Sequence, residues 1–139
     1  MQSRLNPYFN FNGNTRQAME FYQTVFGGKL DLSAYKDTPM PDMDPADGDK
    51  IMHAMLTAEN GIILMGADTP SSMEYKPGTT ISMALGGDNE AELRAYFEKL
   101  STGGTITMPL EKAPWGDTFG MLVDQFGVAW MVNISPAAA

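Results

Sequence analysis

Residues 54–66 read Ala-Met-Leu-Thr-Ala-Glu-Asn-Gly-Ile-Ile-Leu-Met-Gly, and residues 120–132 read Gly-Met-Leu-Val-Asp-Gln-Phe-Gly-Val-Ala-Trp-Met-Val. Met55, Leu56, Gly61 and Met65 recur as Met121, Leu122, Gly127 and Met131, each 66 residues later. Upstream, Phe21-Tyr22 and Gly27-Gly28 are echoed by Tyr96-Phe97 and Gly103-Gly104, at offsets of 75 and 76. One small unit is therefore used twice. The shrinking offset places about ten extra residues in the first half, within Asp37–Asp49.

The repeated stretch is a hairpin, and its loop decides which side chains share a face. Asp124-Gln125-Phe126-Gly127 fits a type I turn with glycine in the fourth position, the three-residue loop that ends in a left-handed residue. Met131 then lies opposite Met121. The same loop at Glu59-Asn60-Gly61 sets Met65 opposite Met55 and Ala67 opposite His53. A two-residue Asn60-Gly61 turn instead reverses the parity and turns His53 to the other face. The glycine repeats and the asparagine does not, which favours the three-residue loop.

Working outward, Asn14 and Gln17 have the spacing of a capping box, and Ala18, Met19, Tyr22, Val25 and Phe26 follow at helical intervals up to Gly27-Gly28. Asn89 and Glu92 precede the stripe Leu93, Tyr96, Phe97 and Leu100, which stops at Gly103-Gly104. Strand-like runs precede each helix, at Pro7–Asn12 and Thr80–Leu85. Three more follow each: Lys29–Tyr35, Lys50–Thr57 and Ile62–Ala67, then Thr105–Met108, Thr118–Val123 and Val128–Ile134. The fold class is α+β, with order β-α-β-β-β in both halves. Module one spans about 5–67, a Pro- and Ser-containing linker about 68–78, and module two about 79–135.

The chain has 139 residues, 43% hydrophobic and 19% charged, which suits one domain or two half-domains sharing a core. A formal charge of −8 and nine scattered basic residues disfavour an extended nucleic-acid surface. With no cysteine, disulfides, thiolate nucleophiles and the usual structural zinc sites are excluded. The start lacks a signal-peptide apolar region and no later stretch is long enough to span a bilayer, so a cytoplasmic protein without a membrane partner is expected. No dinucleotide-binding glycine motif, Walker loop or Gly-x-Ser-x-Gly elbow occurs.

Two β-α-β-β-β modules, Asn-Pro-Tyr-Phe-Asn-Phe-Asn-Gly-Asn at 6–14, Met52-His53-Ala54, Trp115-Gly116-Asp117 and Val123-Asp124-Gln125-Phe126-Gly127-Val128-Ala129-Trp130 together resemble the vicinal oxygen chelate superfamily. This is the family of glyoxalase I, extradiol dioxygenases and bleomycin-resistance proteins, and the chain is most similar to its PhnB-like branch. The resemblance implies curved mixed sheets around a shared cleft, usually completed by a homodimer. Metal-dependent relatives hold their ion through one position on the first and one on the last strand of each module. Those positions fall at Pro7, Met65, Thr80 and Met131. None is a good donor for Mg²⁺, Mn²⁺ or Ni²⁺, and a thioether is a soft ligand suited to copper(I). Proteins of this branch are sometimes labelled demethylubiquinone methyltransferases, but no S-adenosylmethionine site is recognisable here.

His53, the only histidine, is the candidate for acid-base catalysis, against a packed histidine in an apolar strand. The expected ligand-binding cleft is lined by Met55, Ile63, Met65, Thr80, Ser82, Trp115, Phe119, Met121, Met131 and Asn133, mostly apolar with a few polar groups. Twelve methionines suit an adaptable lining. Trp115 covers the cleft mouth or packs on a dimer partner, whereas Trp130 faces the helix layer. Glu59, Asp68, Glu74, Asp117 and Asp124 offer carboxylates for a metal, but read as solvated turn residues. The Asp37–Asp49 stretch is a lid or a surface loop; its spacing is not that of an EF-hand.

The expected function is binding of a small organic molecule in an apolar cleft, with no metal or other cofactor and with no nucleic-acid partner. Two alternatives stand beside it. One is a metal-dependent or His53-based lyase, isomerase or dioxygenase-type enzyme. The other is a dimeric scaffold whose cleft is vestigial.

Overall fold

The computed structural model describes residues 3–38 and 41–135. It divides into two compact units, Met1–Lys76 and Pro77–Ala139. The first contains β1 (Tyr8–Phe11), α1 (Thr15–Phe26), β2 (Lys29–Ala34), β3 (Ile51–Thr57) and β4 (Ile63–Asp68). The second contains β5 (Met83–Gly87), α2 (Glu90–Leu100), β6 (Thr105–Lys112), β7 (Thr118–Val123) and β8 (Ala129–Ile134). Each unit is a four-stranded mixed sheet, ordered β1-β4-β3-β2 and β5-β8-β7-β6, in which the first strand pairs parallel with the last. The β-α-β-β-β order read from the sequence is the order observed.

In each unit the helix covers one face of its sheet. Ala18, Met19, Tyr22, Val25 and Phe26 are buried on α1, and Leu93, Tyr96, Phe97 and Leu100 on α2. Alternation along the strands supplies the other side of each core: Ala54, Leu56 and Leu64 in the first unit, Leu122, Trp130 and Val132 in the second. A Cβ added at Gly66 would meet Met19, and one at Gly120 would meet Phe97, so both glycines face the helix.

The Gly-Gly pairs show why the repeat keeps them. Gly27 and Gly103 hold φ of 73° and 74°, which turns the chain out of each helix. A Cβ on Gly28 would lie 2.1 Å from the Thr57 carbonyl oxygen, and one on Gly104 would lie 2.3 Å from that of Val123. Only glycine lets β2 and β6 start against the strand ends they pair with.

Asn89 caps α2 as expected, accepting the Glu92 N–H at 3.1 Å. Asn14 does not cap α1: its side chain makes no capping bond. The acceptor there is Asp68, at the end of β4, whose Oδ1 takes Gly13 N, Thr15 N and Thr15 Oγ1 at 3.0, 3.0 and 2.7 Å. Its Oδ2 takes Ile51 N at 2.8 Å, and Tyr35 Oη donates to its backbone carbonyl at 3.0 Å. A carboxylate outcompetes an amide here, because it accepts charge-assisted bonds and sits at the positive end of the helix dipole. One buried residue thereby joins α1, β3 and the turn after β2.

Two further expectations are corrected. Asp68 and Asp124 are not solvated turn carboxylates; each is 3% exposed. Asp124 accepts Phe126 N, Val128 N and Trp130 Nε1, which ties the β7–β8 loop to the buried tryptophan. The strand expected from Thr80 begins at Met83, where its pairing with β8 begins, and β6 runs on to Lys112 through Pro109. That proline is tolerated because β6 is an edge strand whose register shifts between Met108 and Glu111.

Replacing Asp68 with Ala leaves several buried donors without an acceptor, so the unfolding free energy is expected to fall by about 3 kcal/mol. Urea denaturation measures this; a loss below about 1 kcal/mol would show that the carboxylate does not join these elements.

Candidate functional site

The face of each sheet away from its helix carries the side chains that the core does not use. In the first unit one row across it is Tyr8, Met65, Met55 and Asp31, neighbours by register on β1, β4, β3 and β2. His53 and Ile63 lie on the same face by alternation. The β3–β4 register is the one expected from a three-residue loop: Ala58 N bonds Ile62 O at 2.8 Å, and Gly61 closes the turn at φ 89°.

The second unit repeats the arrangement. Met108, Met121, Met131 and Ala84 form a row across β6, β7, β8 and β5. The next row holds Glu111, Phe119, Asn133 and Gly86. Trp115, 64% exposed in the β6–β7 loop, sets its ring edge-on to Phe119 at 5.7 Å. Asn133 Nδ2 donates to Asp117 Oδ2 at 2.9 Å. Trp115, Asp117, Phe119 and Asn133 therefore cluster at one end of this face. Thr80 and Ser82 precede β5 and are exposed, so they do not belong to these rows.

Of the expected metal positions, Met65 lies on β4 and Met131 on β8, while Pro7 and Thr80 precede β1 and β5. The strand residues that pair with the two methionines are Tyr8 and Ala84. Each unit thus sets a thioether beside a phenol or a methyl group. Such donors do not fit a hard divalent cation. No group of three or more His, Cys, Asp or Glu is arranged to hold a metal among the described residues.

His53 is half-buried, and its ring lies 6.1 Å from that of Tyr8 with the planes tilted by 36°. Among the described residues no carboxylate hydrogen-bonds its imidazole, so it lacks the orienting group that a general base usually has.

Beside Tyr8 a groove of about 390 Å³ opens, lined on one side by Tyr8, Asn10, Met52 and Ala67 and on the other by Thr69, Pro70 and residues 73–76. Tyr35 and Asp68 also line it. Met52 reaches it because it is the extra residue of a β-bulge: Ser33 pairs with His53 and Ala34 with Ile51, leaving Met52 unopposed. Neither a bulge nor a groove wall built from the linker leaves a pattern in sequence, so Tyr8, Met52 and Tyr75 were not foreseen.

The Asp37–Asp49 stretch, of which residues 39 and 40 lie outside the described residues, is tied down at its second end. Asp44 caps a 3-10 turn at Pro45–Asp47 by accepting Ala46 N. Asp47 is buried, faces Lys50 Nζ at 2.9 Å, and accepts the N–H and hydroxyl of Ser71 at 3.1 and 2.8 Å. Lys50 and then Ser71 hold the Asp47 carboxyl below the usual carboxylate range, and Asp47 in turn holds the Lys50 ammonium above the usual lysine value. Burial, reinforced by Tyr8, Asp47 and Asp68, raises the Tyr35 phenol, which stays a protonated donor.

A family model of the Glyoxalase/Bleomycin resistance protein/Dioxygenase superfamily matches residues 4–132, and the chain belongs to this superfamily. The crystal structure of protein PA1353 from Pseudomonas aeruginosa is similar, with 36% identity and a TM-score of 0.84 over 98% of this chain and 100% of that one. A structure from Bacillus cereus described as a putative 3-demethylubiquinone-9 3-methyltransferase, PhnB protein, is 26% identical, with a TM-score of 0.75 over 96% of this chain and 100% of that one. Protein YjdN of Escherichia coli strain K12 is 29% identical over 140 residues, covering 94% of each chain. No helix among the described residues is long and apolar enough to cross a membrane.

The Asp47 clamp has a defined pH signature. Its lowered carboxyl contributes stability that is complete above the ordinary carboxylate value and lost as pH falls through the lowered one. The raised Lys50 contributes below the ordinary lysine value and loses that contribution as pH rises through the raised one. The stability gap between wild type and Asp47→Ala is therefore expected to be widest near neutrality and to narrow in strong acid and strong base. A gap in urea denaturation that does not vary with pH would count against the clamp.

Proposed function

We propose that this superfamily member binds a small, largely apolar organic molecule on the helix-free faces of its sheets, with no metal ion at the Tyr8, Met65, Ala84 and Met131 positions. The observation that carries the reading is the repeated pairing of thioethers, Met55 with Met65 and Met121 with Met131, on the face each helix leaves uncovered. Flexible, polarizable side chains suit an adaptable apolar surface. A hard cation prefers carboxylate or imidazole, so no catalytic step is derived through one. His53 serves in this reading as a packing partner of Tyr8, not as a catalytic base.

Two copies of the chain associate in the same reading. Supporting this, β6 is an edge strand on which Ile106 and Met108 are each nearly half exposed. Unburied apolar side chains on an unpaired edge favour a partner.

Methionine methyl groups are direct reporters. In protein labelled with ¹³C at these methyls, a panel of one- and two-ring aromatic fragments is expected to shift resonances of Met52, Met55, Met65, Met121 or Met131. If every fragment leaves all five unmoved at millimolar concentration, the helix-free faces are not the ligand surface.

A further inference from the structure

We propose that the groove between β1, the Met52 bulge and residues 69–76 binds a flat aromatic cation, and that Asp47, which lies outside the groove, is the positioning residue for its wall. This rests on the reading of the helix-free face as a ligand surface, since Tyr8 and Ala67 belong to that face.

The ring component comes from three tyrosines, Tyr8, Tyr35 and Tyr75, together with the thioethers of Met52 and Met73. Aromatic faces and polarizable sulfur favour a planar π-system, and the ring quadrupole favours positive charge on it. The volume of about 390 Å³ suits a molecule of two or three fused rings.

The charge component comes from the carboxylates around the groove. Asp68 lines it, and the four hydrogen bonds its carboxylate accepts on the helix side come from neutral donors: three backbone N–H groups and the Thr15 hydroxyl. No ion pair cancels that charge among the described residues. Lys50 is engaged by Asp47 at 2.9 Å, and at the rim Lys76 lies 3.4 Å from Glu74, so this exposed pair adds no net charge. Lys50 also feels Asp68 and Asp44, so Asp44, Asp47, Asp68 and Glu74 outnumber Lys50 and Lys76 around the groove, a net negative field that repels an anion and attracts a cation.

The wall opposite β1 has little regular structure of its own and needs an anchor. Thr69 N bonds Phe11 O at 2.7 Å, and two residues later Ser71 donates twice to Asp47. Ser71 Oγ also reaches Asp44 Oδ2 at 3.4 Å. The extra residues of the first unit thus end in a carboxylate that fixes residues 69–76 against the groove. That gives the Asp37–Asp49 stretch a role beyond closing β2 to β3.

Isothermal titration with proflavine, a planar aromatic cation, and with 1-anilinonaphthalene-8-sulfonate, an aromatic anion, tests the assignment. Proflavine is expected to bind one site per chain about tenfold more tightly than the sulfonate, and Tyr75→Ala to weaken it by about tenfold. Ser71→Ala is expected to weaken proflavine severalfold and Ser71→Thr to restore it, a rescue that a general loss of stability would not produce. Asp47→Ala should match Ser71→Ala if it folds; the serine pair decides the matter if it does not. Equal or tighter binding of the sulfonate, no proflavine binding, or wild-type affinity in Tyr75→Ala overturns the groove assignment. Wild-type affinity in Ser71→Ala overturns the role given to Asp47. If proflavine shifts the Met121 and Met131 methyls but not Met52, the groove fails while the broader ligand surface stands. If no compound moves any methionine methyl, both fail.

Discussion

The two three-residue loops that close β3 to β4 and β7 to β8 fix the parity of four strands at once. Ala58 N to Ile62 O at 2.8 Å and Asp124 N to Val128 O at 2.9 Å close them, and Gly61 and Gly127 end them at φ 89° and 86°. With that loop length Leu56, Leu64, Leu122 and Trp130 point at the helices, while Met55, Met65, Met121 and Met131 point away. A two-residue loop would slip each hairpin by one position and mix the two sets, placing Leu56 opposite Met65. Core and candidate ligand surface are therefore two consequences of one turn.

Around that shared frame the units are locked by different carboxylates. Asp68 gathers α1, β3 and the turn after β2 in the first, and Asp124 anchors the hairpin loop to Trp130 in the second. Both are consumed by hydrogen bonding inside their units. What faces outward at the paired strand positions is thioether, phenol and methyl. The superfamily's frame is kept, and at those positions it presents soft, flexible side chains.

The repeat made the order of elements, the helix stripes and the hairpin register legible, because each depends on local spacing that survives in one sequence. Met121 opposite Met131 follows from one glycine. Positions that depend on where two distant strands come together were less legible. Tyr8 and Ala84, the partners of Met65 and Met131, could not be counted from sequence, since parallel pairing across a helix has no local turn to count from. Asn14 has the residue type and spacing of a cap, yet a carboxylate 53 positions away from Thr15 holds the N–H instead. The Met52 bulge and the Ser71 anchor were invisible for the same reason: they are long-range agreements between segments that look like ordinary strand and loop.

In the reading proposed above, thioether, phenol and methyl stand where a hard metal would need carboxylate or imidazole. The most direct test of that reading is the metal content of the purified protein after equilibration with Mn²⁺, Ni²⁺ and Mg²⁺ and removal of free ions by gel filtration. Without a hard-cation site, the expected content is far below one ion per chain for each of them, with no change in melting temperature on adding ion, since an ion selective for the native state must raise its stability. Retention of one ion per chain, accompanied by a rise of several degrees, would contradict it.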